Sequence, residues 1–171
     1  TQWSSSAASD VYKRQDHNTT GDANTAVGSE SLDANTTASN NTAVGYQALK
    51  ANTTGASNVA IGYQSLDANT TANDNTAVGT SSLGSNTTGT NNTAVGASAL
   101  VLNTTASDNT AIGLLALGAN TTGSKNVAIG AYALDANTVG GQCVAIGYAA
   151  LGAHNRNCLL YTSDAADDDH C

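Results

Sequence analysis

The apolar positions of this chain recur with neither the two-residue rhythm of a long strand nor the 3.6-residue rhythm of a helix. From Asn24 onward, Ala followed by Val or Ile leads into Gly, Leu comes four residues later, and the series returns every 17 residues. Gly occupies Gly28, Gly45, Gly62, Gly79, Gly96, Gly113, Gly130 and Gly147 without a slip, and Leu occupies Leu32, Leu49, Leu66, Leu83, Leu100, Leu117, Leu134 and Leu151. With Asn24 as position 1, Ala holds position 3 in all eight units and Asn-Thr holds positions 12 and 13 in seven. Position 15 alternates Ala38, Gly55, Ala72, Gly89, Ala106 and Gly123, so the unit reads as a duplicated pair of 34 residues. Self-similarity at a fixed period is the mark of a stacked-repeat architecture.

The local chemistry says which architecture. A 34-residue pair has the length of a helical tetratricopeptide repeat, but Asn-Thr-Thr-Gly runs are poor helix formers. No i, i+3, i+4 apolar stripe exists either. The segments "NTAVG" and "NVAIG" alternate by twos and predict a short strand. "YQAL" or "YQSL" predicts a second extended piece ending on Leu, and "ANTTGxxN" a turn in which Asn and Gly adopt positive φ. Two short strands and tight turns per unit describe one coil of a parallel β-solenoid. About eight coils, stacked at ~4.8 Å, make an all-β rod about 40 Å long. The invariant Ala and Gly are expected inside a narrow coil, with Asn and Thr columns stacked as ladders. The Val/Ile column falls on the face opposite Ala. A thin roll cannot cover that stripe itself, so it is expected to be buried between copies of the chain.

Composition agrees. The 171 residues include no Pro, Met or Phe, and only 4% are aromatic, which is too little bulk for an ordinary globular core. The net charge of −8 argues against nucleic acid, which needs clustered Lys or Arg. Residues 16–157 carry eight acidic and three basic side chains, a mildly acidic surface. No apolar run approaches the ~20 residues of a membrane span, so no membrane insertion by this segment is expected.

Candidate chemistry is sparse, and no enzyme, cofactor or metal site is expected. His17 and His154 stand at opposite ends of the repeat, away from any nucleophile or carboxylate constellation. Cys143 replaces an Asn of position 1 and reads as a small, half-buried substitution. Asp33, Asp67 and Asp135 share position 10 with Lys, Gly and Val, so no carboxylate row forms. Six "NTT" strings, at Asn35, Asn52, Asn69, Asn86, Asn103 and Asn120, fit the N-glycosylation pattern, although turn chemistry explains them as well. Tyr46, Tyr63 and Tyr148 share position 6, with Tyr132 one place later. They form a possible surface contact for a host protein or glycan, or simply a stacked pair. The Thr column from Thr36 to Thr138 invites an ice-binding reading, against which stands its place in an expected turn.

"NNTAVGYQAL" (residues 40–49) and "SNVAIGYQSL" (57–66) resemble the head repeats of trimeric autotransporter adhesins of the YadA-like type. The resemblance covers about residues 18–157, and its strongest pieces are the three "VAIG" strings at Val59–Gly62, Val127–Gly130 and Val144–Gly147. The unit is longer here than is typical of that family, through the "ANTTG" loop. Similar repeats occur in phage tail fibres. The resemblance implies a left-handed parallel β-roll, a homotrimeric fibre, a structural or adhesive role, and a place on the bacterial cell surface or a phage virion.

The two ends do not share the repeat. "SSAASDVYKRQ", Ser5 to Gln15, reads as the in-frame translation of a transposase-type sequencing adapter. "CLLYTSDAAD", Cys158 to Asp167, is the same DNA read on its opposite strand, one base out of frame. Segments 1–15 and 158–171 are therefore expected to be foreign and poorly packed. Residues 16–157 are expected to be a fragment of a longer repeat.

Overall fold

The computed structural model describes residues 17–153, 156 and 161–162. It is a parallel β-solenoid. Eight three-residue strands, each at positions 2 to 4 of its unit, run β1 (Thr25–Val27), β2 (Thr42–Val44), β3 (Val59–Ile61), β4 (Thr76–Val78), β5 (Thr93–Val95), β6 (Thr110–Ile112), β7 (Val127–Ile129) and β8 (Val144–Ile146). Each pairs with the next in sequence order, always offset by 17 residues, so that Ala26 lies beside Ala43, Ala43 beside Ala60, and so on. The described residues contain no helix.

Each coil has one strand rather than the two expected. "YQAL" and its equivalents form turns, because positions 7 and 9 both adopt left-handed backbone, as at Gln47 (φ 55°) and Leu49 (φ 54°). Position 17 does the same, as at Asn40 (φ 62°). These three corners bend the chain, whereas the Asn of "NTT" is not at positive φ. Left-handed backbone costs an L-residue roughly 1–2 kcal/mol. Here the corner N–H groups point along the rod into a neighbouring coil: Gln47 N–H donates to the Ser29 carbonyl, Leu49 N–H to Ser65 and Asn40 N–H to Asp22. The bent segments are thus hydrogen-bonded coil to coil, as the strands are. For Leu, burial adds about 1.5–3 kcal/mol against the corner strain, and every position 9 Leu from Leu32 to Leu134 is fully buried.

The interior is half apolar and half amide. Ala43 to Ala145 at position 3 and Leu32 to Leu134 at position 9 form a continuous buried column with the Ala residues of position 8. Gly at position 5 owes its place to the stacking distance, not to a narrow interior. Gly79, for example, has φ +136°, and a Cβ there would sit 2.5 Å from the carbonyl oxygen of Gly96 in the next coil. The expectation that Gly lines the inside is corrected accordingly.

At the far end, Tyr161–Thr162 forms β9 and pairs with β8 at an offset of 16 residues, Ala145 beside Tyr161. The backbone of these two residues of the 158–171 segment is thus paired with the last coil. The open edge of β8 offers unpaired N–H and C=O groups that any extended chain can meet. Segment 1–15 and the rest of 158–171, with Trp3, Cys158, His170 and Cys171, lie outside the described residues.

Candidate functional site

The strand alternation puts Ala inside and sends positions 2 and 4 outward. Position 4 is a continuous Val/Ile column, with Val27 at 49% exposure, Ile61 at 39%, Ile112 at 39% and Ile146 at 43%. Beside it runs position 2, a half-buried column of Thr and Val apart from the exposed Thr25. Position 6, immediately past the Gly, adds Tyr46, Tyr63, Leu114 and Tyr148, all exposed. No charged residue stands at positions 2, 4 or 6 in any of the eight coils. Within residues 24–153 every charge falls instead at positions 7, 10 and 17. The molecule therefore has one uncharged sheet face running its length, with its ionic groups kept to other columns.

Those groups are few. Lys50 pairs with Glu30, which also accepts from the Gln47 side chain at 2.9 Å. Hydrogen bonding to Glu30 raises the Lys50 pKa. Asp67 is half-buried, and that burial pushes its carboxyl pKa up, against the downward pull of its own N–H, that of Ala68 and the charge of Lys50. Among the described residues no three His, Cys, Asp or Glu side chains gather as metal ligands. His17 is exposed, with Nδ1 3.0 Å from the Asp33 carbonyl oxygen.

Tyr46 and Tyr63 stack on each other, ring centroids 5.5 Å apart and 22° from parallel. Their facing surfaces are thereby occupied. Tyr132 meets Tyr148 edge to face at 5.9 Å. The predicted Gly and Leu columns are present as structural columns, buried or at coil contacts.

Beyond the turn chemistry expected of its sequence, the Asn-rich bend forms a buried asparagine brace. Position 12 amides form a buried ladder: Asn52 Nδ2 donates to Asn35 Oδ1 at 3.2 Å and Asn69 Nδ2 to Asn52 Oδ1 at 2.9 Å. Each also donates to the carbonyl of position 15 in its own coil, as Asn52 does to Gly55 at 2.9 Å. Position 1 Asn donates to that same carbonyl, Asn41 to Gly55 at 2.9 Å, while its oxygen accepts the N–H of the next position 1, Asn58 to Asn41 at 2.9 Å. One carbonyl thus ties the bend to the start of the strand. The strict recurrence of both Asn columns was the available signal. Among the described residues the buried hydroxyl of Ser65 has no partner, while Ser31 and Ser82 at the same position donate to Gly28 and Gly79.

Position 13 hydroxyls are also committed, Thr53 Oγ1 donating to the Thr70 carbonyl and Thr87 Oγ1 to that of Thr104. The column is therefore a coil-to-coil tie rather than an outward rank. Cys143 is fully buried rather than half-buried, and it is disulfide-bonded. Its N–H keeps the bond to Asn126 Oδ1 at 2.9 Å. Compared with known protein families, curated proteins and solved structures, the chain matches none.

Proposed function

We propose that this chain is a non-enzymatic structural segment of a homotrimeric surface fibre, with an adhesive role in the head or stalk. The observation that carries the reading is the uncharged Val/Ile face, which runs the length of the stack with a third or more of Val27, Ile61, Ile112, Ile129 and Ile146 still in water. A patch of that length on a lone rod is an association surface. Identical coils would place identical patches on every copy, which suits a closed homo-oligomer. The likeness of "NNTAVGYQAL" to YadA-like head repeats supports the threefold count and an extracellular setting, on a bacterial cell surface or a phage virion. A stiff rod then presents repeated surface positions to a host protein or glycan, and weak contacts add through multivalency. A tail-fibre shaft asks for the same rod, and the genes that neighbour the coding sequence separate the two hosts.

Sedimentation of the purified chain tests the association. The expected species is a trimer. Ile112→Glu should shift it to monomer by burying a charge in the apolar face, whereas Thr105→Glu, in the exposed "NTT" bend, should not. A folded monomer at tens of micromolar, on the order of ordinary homo-oligomer affinities, would sink the reading.

A further inference from the structure

The N-glycosylation pattern occurs at more places than the six "NTT" strings. Asn18 begins a further "NTT", and Asn40-Asn41-Thr42 and Asn91-Asn92-Thr93 also satisfy Asn-x-Thr. The fold sorts these candidates into two classes. The six repeat asparagines are buried, at 0–1% exposure. Both N–H groups of their amides are taken, as Asn52 shows with Asn35 Oδ1 and the Gly55 carbonyl. Asn18 is half-buried and donates to the Gly21 carbonyl at 2.8 Å.

Asn40 and Asn91 differ in each respect. Both stand at position 17, exposed, on left-handed corners with φ of 62° and 57°. Asn is among the L-residues most at ease in that conformation. The backbone N–H of Asn40 is tied to Asp22, but its side-chain amide has no hydrogen bond among the described residues. The Asn91 amide makes only long contacts, 3.5 Å to Thr90 Oγ1 and 3.4 Å to Asp108 Oδ1, both in solvent. The hydroxyls of Thr42 and Thr93, two residues on, are half-buried on the outer face of β2 and β5 and donate to nothing among the described residues. The two asparagines are three coils apart in one column, ~14 Å at the usual strand spacing.

We propose that Asn40 and Asn91 are asparagine-glycosylation sites of the folded rod, and that the six "NTT" asparagines are closed to modification once the coils have stacked. The donor class is a nucleotide-activated hexose, handled by a soluble transferase. The Asn Nδ2 attacks the anomeric carbon, a C–N bond forms, and the C–O bond to the nucleoside diphosphate breaks. The nucleotide leaves as the diphosphate, and the amide gives up one proton to the transferase. At a corner in water the amide can twist to free its nitrogen lone pair. In the brace, the same attack would forfeit two buried hydrogen bonds and force a sugar between coils.

The test incubates the full chain with a soluble asparagine glycosyltransferase and its nucleotide-hexose donor, folded and again in urea at a concentration at which the transferase still labels an unstructured Asn-x-Thr peptide added to each sample, and maps hexose by peptide mass spectrometry. The expected result for the folded chain is one hexose on Asn40, one on Asn91, and none on Asn18, whose amide is tied to Gly21 and Asn35, or on Asn35, Asn52, Asn69, Asn86, Asn103 or Asn120. In urea the six should become labelled. The double variant Asn40→Gln, Asn91→Gln should lose all labelling when folded and keep an unchanged circular dichroism spectrum. Two outcomes overturn the proposal: no hexose on either corner of the folded chain when the urea sample labels, or hexose on the six buried positions while the spectrum stays native.

Discussion

Asp67 shows how this scaffold treats an individual charge. Its neighbours in the position 10 column are Lys50 and Gly84, and half-burial against the coil raises its carboxyl pKa. A folded pKa above the unfolded one means the protonated form is the better fit. The stability from this group is therefore present below the unfolded pKa and lost as pH rises through the folded one. Asp67→Asn should accordingly be more stable than the parent at pH 7, with the gap closing as pH falls through the carboxylate range. Urea denaturation of both chains across that range checks the sign, and a gap that widens on acidification would contradict it. Elsewhere single residues are fixed by geometry. A shorter or apolar substitute at position 1 inside the stack would orphan the backbone N–H of the next coil, as Asn58 N–H would be left without Asn41 Oδ1.

At the scale of one coil, the contest is between corner strain and axial hydrogen bonding. Gly at position 5 is where strain and space coincide. In Gly79→Ala the new methyl would meet the Gly96 carbonyl oxygen at 2.5 Å with φ held at +136°. The expected loss is about 3 kcal/mol, the upper end for a strained backbone residue. Gly84→Ala is the control: its backbone is not left-handed and its closest contact is 3.3 Å, to the Ser81 oxygen. It should stay within about 1 kcal/mol of the parent. Equal losses for the two would mean that coil spacing does not dictate the Gly column. The coil also explains why "YQAL" is not a strand. Extended φ/ψ was legible in the apolar-polar alternation, but the left-handed corners at positions 7 and 9 leave no composition signal. They are occupied by Glu30, Gln47, Ser81, Leu115 and Tyr132 as well as by Leu. Residues so different share a conformation only because the neighbouring coil supplies the acceptor.

For the whole molecule, register matters more than any single contact, since each coil touches only its neighbours and stability is a sum over coils and interfaces. Removing residues 75–91 takes out one complete unit and rejoins Asp74 to Asn92 with every column intact. Removing residues 75–90 instead leaves an 18-residue coil, with Asn91 wedged beside the brace. The first deletion should unfold within a few degrees of the parent, the second distinctly lower, by thermal circular dichroism. A reversed order would show that the Asn columns do not set the register. The single uncharged face belongs to this scale too, because it exists only when the strands of successive coils lie side by side.

The 17-residue period alone gave the parallel stack, its coil count, the inward Ala and the outward Val/Ile, since a period of that length with alternating ends can close only by stacking like on like. Tertiary structure decided what the period could not. It placed the corners, because an intercoil acceptor rather than residue preference makes a left-handed Leu affordable. It turned the Asn of "NTT" from turn residues into a buried brace, because an amide can donate twice and accept at once only when a second coil lies over it. The same stacking separates asparagines that read alike along the chain, closing six inside the rod and leaving Asn40 and Asn91 in water.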